Sequence, residues 1–254
     1  MESRPVCLSI GGSDSCCGAG IQADLRIFNA LGSIGCSAIT ALTAQNPRRI
    51  TRIQPVPLAQ IDAELHAVFD YYNVAAVKTG MLLDAEHIAV VAAALQQRHP
   101  SGTLIIDPVM LASSGRRLLD ASALETLVKA LLPMATLLTP NLDEAEVLLG
   151  RPIRDPQADC LELMQLLDCA VLLKGGHGDG DTLLDVLCES DGRLTRFEHQ
   201  RQAWSEADAH GSGCRLAAAV AAFMARGGAA EPLADAVSQA VKFTTAPDMR
   251  YPVT

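Results

Sequence analysis

With 254 residues, 49% of them hydrophobic, the chain can build one large α/β domain or two small ones and has ample material for a core. Twenty basic against 29 acidic residues give a net charge of −9, which argues against nucleic acid as a partner but leaves room for a phosphorylated small molecule held by loop amides. The apolar part of MESRPVCLSIGG is too short for a signal peptide, and runs such as LAAAVAAFMA (216–225) fall short of the ~18–20 residues that span a bilayer, so the expectation is a cytoplasmic protein without a membrane partner.

Along the chain, β-rich runs alternate with helical ones. VCLSIGG (6–12) reads as a first strand ending in glycines, and AGIQADLRIFNAL (19–31) places Ile21, Leu25, Phe28 and Leu31 at helical spacing. CSAITALTA (36–44) reads as a second buried strand, and ITRIQPVP (50–57) as an exposed strand or flap. Helices over about 58–72 and 85–98 precede strands at 103–108 and, between them, at 74–80. Strands at 135–140 and 169–176 have the same form, each flanked by helices. DTLLDVLCE (181–189) and GRLTRFEHQ (192–200) read as a hairpin, and helices over about 213–226 and 231–246 close the chain. The EADA before His210 reads as an extended polar segment.

Strands alternating with helices imply a mainly parallel sheet covered on both faces, and with no proline-rich or low-complexity linker the whole chain, 1–254, reads as a single domain. In such sheets ligands bind beyond the carboxyl ends of the strands. The ends GGSDS, TAQN, KTGM, DPVM, TPNLDE and KGGH each follow an apolar strand and should gather on one edge.

Neither a G-x-x-x-x-G-K-[ST] loop nor a G-x-G-x-x-G fingerprint is present. HGSGC (210–214) offers another anion site, because glycines at 211 and 213 let successive N–H groups converge where a helix begins, although it reads equally as a tight turn under the sheet. Asn141 and Glu144, at i and i+3 in the first turn of a helix, suit Mg²⁺ directly or through water, or else simply favour the helix dipole. Asp107 leaves a buried strand just before a proline, and Lys174 ends another apolar run where a cation can meet a phosphate or reach solvent. The eight cysteines form no C-x-x-C pair, so most read as small, reduced core residues.

The segments IGGSDSCCGAGIQADLRIFNALGSIGCSAITALTAQN, KTGML, DPVMLASSG, LLPMATLLTPNLDEAEVL, LLKGGH and HGSGC, in this order over about residues 6–245, resemble the hydroxymethylpyrimidine/phosphomethylpyrimidine kinases of thiamine biosynthesis, members of the ribokinase-like superfamily. The resemblance implies a three-layer α/β/α fold with a mostly parallel sheet and a small β flap. It implies an ATP- and Mg²⁺-dependent kinase that phosphorylates hydroxymethylpyrimidine and then its monophosphate, acting as a homodimer. Gly12, Ala19, Asp24, Gln45, Met81 and Val109 would line the pyrimidine pocket. Asp107, Asn141 and Glu144 would organise Mg²⁺ and phosphates, with Lys174, Gly175, Gly176, His177 and Asn141 beside ATP. Gly211, Ser212, Gly213 and Cys214 would form the anion hole, Cys214 standing where many sugar kinases of the superfamily carry an aspartate base. A thiol at a helix N-terminus near cations is expected to have a lowered pKa and so to serve as the base. The chain departs from the pattern in carrying Cys16 and Cys17 in the first glycine loop, EADA before the anion hole and Arg215 after Cys214. A pyridoxal/pyridoxine kinase and a catalytically silent pyrimidine-binding homologue are the alternatives.

Overall fold

The computed structural model describes residues 4–110, 119, 121–175, 182–228 and 231–246. Their strands are β1 (Val6–Asp14), β2 (Ile34–Asn46), β3 (Arg49–Pro55), β4 (Val74–Thr79), β5 (Thr103–Ile106), β6 (Leu137–Leu138), β7 (Val171–Leu173), β8 (Thr182–Cys188) and β9 (Leu194–Gln200). Their α-helices are α1 (Gly20–Ala30), α2 (Leu58–Tyr71), α3 (Ala85–Arg98), α4 (Ala121–Thr126), α5 (Leu142–Leu149), α6 (Pro156–Leu167), α7 (Glu206–Ala209), α8 (Ser212–Gly227) and α9 (Leu233–Thr244). A π-helical turn, Leu127–Leu131, and a 3₁₀ turn, Leu132–Met134, carry α4 into β6.

All nine strands lie in one sheet of order β3-β2-β1-β4-β5-β6-β7-β8-β9. The pairs from β2 through β7 are parallel, as strand–helix alternation demands, while β3, β8 and β9 add antiparallel edges. Strand alternation splits the buried side chains between two helical layers. Leu8 and Ile10 of β1, Val77 of β4 and Ile106 of β5 meet α2, α3, the α4 segment and α6 on one face. Cys7, Ala76, Ile105 and Leu172 meet α1, α8 and α9 on the other. The second layer packs closely because α8 is alanine-rich: residues 217–219, 221 and 222 are fully buried alanines, and Phe28 of α1 fills the space their small side chains leave.

Some expectations change in detail. The strand expected over 36–44 is buried only in its inner half: Leu42 is half exposed, and the outer half of β2 joins β3 as an antiparallel ribbon projecting from the sheet. The EADA segment, expected to be extended, is the helical turn α7, because the Ser205 hydroxyl accepts the Asp208 N–H and donates to the Asp208 carboxylate. The 181–189/192–200 hairpin forms as expected in β8 and β9. Between β1 and β4 the strand order reverses, and at such a switch point a crevice opens beyond the strand ends.

Candidate active site

The alternation that sends Cys7, Ala76, Ile105 and Leu172 toward α1 and α8 sends the residues two places later the same way. Those residues are Ser9, Lys78, Asp107 and Lys174, so four apolar strands each deliver a polar group to the same end of the same face. Ser9 and Lys78 are register partners across the switch point and both reach Asp24 of α1. The Lys78 ammonium donates to the two Asp24 oxygens at 2.9 and 3.1 Å, and the Ser9 hydroxyl donates to Asp24 at 2.6 Å. Lys174 donates to Asp107 at 2.9 Å, and Thr139 adds a longer hydrogen bond of 3.4 Å. Burial opposes the charge on both lysines, but Asp24 beside Lys78 and Asp107 beside Lys174 prevail and hold each ammonium above its usual pKa. Burial also opposes ionisation of Asp107, and Lys174 and Lys78 more than offset it, keeping that carboxyl below its ordinary range.

The N-terminus of α8 points at this cluster. Gly211, its N-cap, has φ +77°, and a Cβ there would lie 2.2 Å from the Gly18 carbonyl oxygen, so only glycine brings the turn this close to the first loop. A Cβ on Gly213 would lie 3.0 Å from the Lys174 ammonium nitrogen, which places that cation at the open end of the helix. The N–H groups of the first turn, the positive end of the helix dipole and Lys174 form one anion-attracting corner. Cys214 lies in the same turn, half-buried. Burial pushes its thiol up to about 12; Lys78 and Lys174 pull it down, but Asp107 and Asp24 push the other way. The expected lowering is therefore reversed, chiefly because the thiol is taken out of water, and because the Asp107 and Asp24 carboxylates share the pocket with the cations.

A cavity of about 1100 Å³ runs across these groups, larger than the ~300–1,000 Å³ usual for one small ligand. One end is walled by Gly12, Met81, Val109 and the β2–β3 ribbon residues Thr43, Gln45 and Ile50. Gly12 is in close contact with this wall: a Cβ there would be 2.5 Å from the Met81 methyl. Val109 holds φ +43°, a strained conformation for a β-branched residue, at the cavity wall. At its other end the cavity passes Leu183, Asp185 and His199 to reach Val241, Thr244 and Thr245 at the end of α9.

Asp14 ties the first loop to the α8 turn. Its carboxylate accepts the N–H groups of Cys16, Gly18 and Ala19 and pairs with His210 Nε2 at 2.9 Å. Burial opposes the Asp14 charge, yet His210 and the loop N–H groups pull its carboxyl below the usual value.

A cavity of about 1100 Å³ with an anion-attracting corner and a helix-borne thiol suits a phosphate-bearing ligand, and comparison with known proteins narrows the reading. The family model described as phosphomethylpyrimidine kinase matches residues 14–248. The chain belongs to the phosphomethylpyrimidine kinase family. It is 43% identical over 239 residues to the hydroxymethylpyrimidine/phosphomethylpyrimidine kinase of Rhizobium meliloti, covering 92% of this chain and 87% of that protein. It is 42% identical over 223 residues to the Escherichia coli protein of the same name, covering 86% and 82%. Among solved structures, the Clostridium difficile phosphomethylpyrimidine kinase superposes with a TM-score of 0.81 at 34% identity, covering 95% and 98% of the two chains. An ADP complex of Bacillus subtilis pyridoxal kinase superposes with 0.85 at 30% identity, covering 99% and 95%.

For a phosphomethylpyrimidine kinase family member, the placement of the expected residues is informative. Gly12, Ala19, Asp24, Gln45, Met81, Val109, Asp107, Asn141, Glu144, Lys174, Gly211, Ser212, Gly213 and Cys214 all line the one cavity. Asp24, expected at the pyrimidine, has both oxygens engaged by Lys78 and Ser9, so it acts on the pocket through Lys78. Asn141 and Glu144 form a reciprocal capping box, the Asn141 side chain accepting the Glu144 N–H and Glu144 accepting the Asn141 N–H. Glu144 also accepts the Met110 N–H, so it and Asn141 offer a metal only their remaining lone pairs. The Gly175 N–H donates to Asp185 at 2.8 Å, while Gly176 and His177 lie outside the described residues.

Among the described residues no three His, Cys, Asp or Glu side chains form a metal cage. The donors present, the buried carboxylates of Asp107 and Glu144, are hard oxygen groups, and burial raises the Glu144 pKa despite Lys174, a cost that a cation would relieve. They fit Mg²⁺ bound through one or two carboxylates, with phosphate oxygens and water completing its shell. Sequence reading left Lys78, Asp14 and His210 without roles although each stands in a motif already singled out, KTGM, GGSDS or HGSGC.

Two predictions follow from the loop geometry. Gly211→Ala forces a Cβ into the Gly18 carbonyl and turns anion-hole N–H groups away, so kcat of the folded variant should fall about 100-fold, measured by steady-state kinetics. Asp14→Asn should lower stability by about 1–3 kcal/mol at pH 7, by chemical denaturation. Because the folded carboxyl is lowered, its contribution is complete above the ordinary carboxylate pKa of ~4 and disappears as pH falls through the folded value, so wild type and variant should converge below that range.

Proposed function

We propose that the chain transfers the γ-phosphoryl group of MgATP to the hydroxymethyl oxygen of 4-amino-5-hydroxymethyl-2-methylpyrimidine, and then a second phosphoryl group to the resulting monophosphate. The observation that carries this reading is the anion corner of α8 and Lys174 in a cavity that Gly12, Met81 and Val109 also line. A heteroaromatic ring needs apolar faces and a few fixed polar contacts at its edge; Met81 and Val109 supply the first and Gln45 the second. The curated relatives' names, hydroxymethylpyrimidine/phosphomethylpyrimidine kinase, support the same substrate.

In this reading the acceptor oxygen attacks the γ-phosphorus as its bond to the β-bridging oxygen breaks and ADP leaves. The equatorial oxygens of the transferring group meet the N–H groups of residues 211–214 and the Lys174 ammonium. Asp107 and Glu144 would hold Mg²⁺, which neutralises phosphate charge when bound. Burial pushes the Cys214 thiol up to about 12, so it carries its proton at neutral pH; Sγ can take the hydroxyl proton only after releasing its own to water. The second acceptor is already ionised and has no proton to lose, so positioning and charge govern that step.

The reading extends to one catalytic domain acting as a cytoplasmic homodimer. In support, no described helix is long and apolar enough to cross a membrane, and the β2–β3 ribbon leaves Leu42 half exposed for a partner. Pyridoxal is the second acceptor to weigh, because pyridoxal kinases are among the similar structures.

Mass spectrometry of products after incubation with MgATP and hydroxymethylpyrimidine, with pyridoxal in parallel, should show the pyrimidine monophosphate and then the pyrophosphate; phosphorylation of pyridoxal alone would overturn the substrate. Cys214→Ala should cut kcat of the alcohol step by about 100-fold and that of the phosphate step far less. Equal losses in the two steps would remove the proton-accepting role.

A further inference from the structure

Arg215 is a buried cation to which the phosphoryl-transfer reading gives no duty. It lies in the first turn of α8, is 5% exposed, and folds its guanidinium back over the turn that precedes the helix. Nη1 donates to the carbonyls of His210 at 2.7 Å and Gly18 at 3.4 Å, and Nη2 donates to the carbonyl of Asp208 at 2.5 Å. The guanidinium carbon sits 5.7 Å from the centroid of the Trp204 ring.

These partners belong to separate parts of the site. Asp208 lies within α7, His210 opens the turn at the N-terminus of α8, and Gly18 belongs to the first loop, whose Asp14 and Ala19 line the cavity. The pair of His210 and Asp14 fastens the same two loops at a second point, and a Cβ on Gly211 would lie 2.2 Å from the Gly18 carbonyl oxygen and 2.8 Å from the Ala19 Cα. The planar guanidinium presents several N–H donors in a fixed fork, so it can serve three carbonyls from three directions, which a single ammonium cannot do with the same geometry. Its bonds also polarise the peptides they touch. The carbonyls of His210 and Gly18 share peptide units with the N–H groups of Gly211 and Ala19, one in the anion-hole turn and one donating to Asp14.

We propose that Arg215 is a positioning residue for phosphoryl transfer, locking the anion-hole turn against the acceptor loop so that the attacking oxygen and the transferring group are held in line. The proposal rests on the kinase reading above. Reaction rates fall steeply with small misplacement of reacting groups, whereas ATP binding, spread along the rest of the cavity, depends little on this contact.

The test compares wild type with Arg215→Met and Arg215→Lys, measuring kcat and KM for MgATP and acceptor, with and without millimolar guanidinium. Trp204 is the sole tryptophan, so its emission reports on the neighbouring guanidinium independently of turnover. Arg215→Met should lose about 10- to 100-fold in kcat with KM for MgATP changed less than about threefold. Added guanidinium should restore part of the kcat and move Trp204 emission back toward wild type, and Arg215→Lys should recover little. A kcat within twofold of wild type in Arg215→Met, or a loss that guanidinium does not relieve, overturns the proposal. Wild type inactive on the pyrimidine but active on pyridoxal would instead refute the substrate reading, and the same comparison run with pyridoxal would still decide the role of Arg215.

Discussion

Two lysine ammoniums held out of water at the strand ends, Lys78 on Asp24 and Lys174 on Asp107, are the constraint on which the site depends. Each is buried with one principal carboxylate, and removing either partner leaves an unpaired buried charge, a loss of about 3–5 kcal/mol in comparable cases. The pairs therefore fix α1, β4, β5 and β7 relative to one another. They also set the potential at the N-terminus of α8, since charged lysines there favour an arriving phosphate while burial, reinforced by the two carboxylates, keeps the Cys214 thiol protonated. Burial that stabilises nothing by itself becomes useful at a site where charge is about to be transferred.

The rest of the cavity is arranged around that corner. The β2–β3 ribbon and Met81 enclose one end, the end of α9 closes the other, and the first loop joins the α8 turn through Asp14, His210 and Arg215. The first loop and the α8 turn thus share one continuous set of hydrogen bonds, which ties the position of the 14–19 loop to that of the α8 N-terminus.

Much of this was legible in the sequence because it rests on periodicity. Apolar runs ending in GGSDS, KTGM, DPVM and KGGH had to become strands whose polar ends share an edge, and Lys78, Asp107 and Lys174 share a face through alternation alone. What stayed hidden depends on contacts between distant segments. The Cys214 thiol was expected to be lowered by its helix and nearby cations, yet burial, with Asp107 and Asp24 beside it, raises it, and no local pattern announces that. The outer half of β2 has the composition of a buried strand but projects beyond the layer of helices that would cover it. Asn141 and Glu144 satisfied two readings at one spacing, and the reciprocal capping hydrogen bonds use lone pairs that a metal would otherwise share. Arg215 stood in the sequence only as a departure from the family pattern, because the direction of a long side chain is decided by the carbonyls it finds, here from residues 18, 208 and 210.

The central claim is that the transferring phosphoryl group sits at the N-terminus of α8 beside Lys174. A crystal structure with MgADP, the pyrimidine and a planar phosphoryl mimic such as aluminium fluoride tests it most directly. The account predicts the mimic within ~3.2 Å of N–H groups of residues 211–214, with the Lys174 ammonium turned toward it. A mimic bound instead over Gly11 and Gly12, with Lys174 still paired only to Asp107, would contradict it.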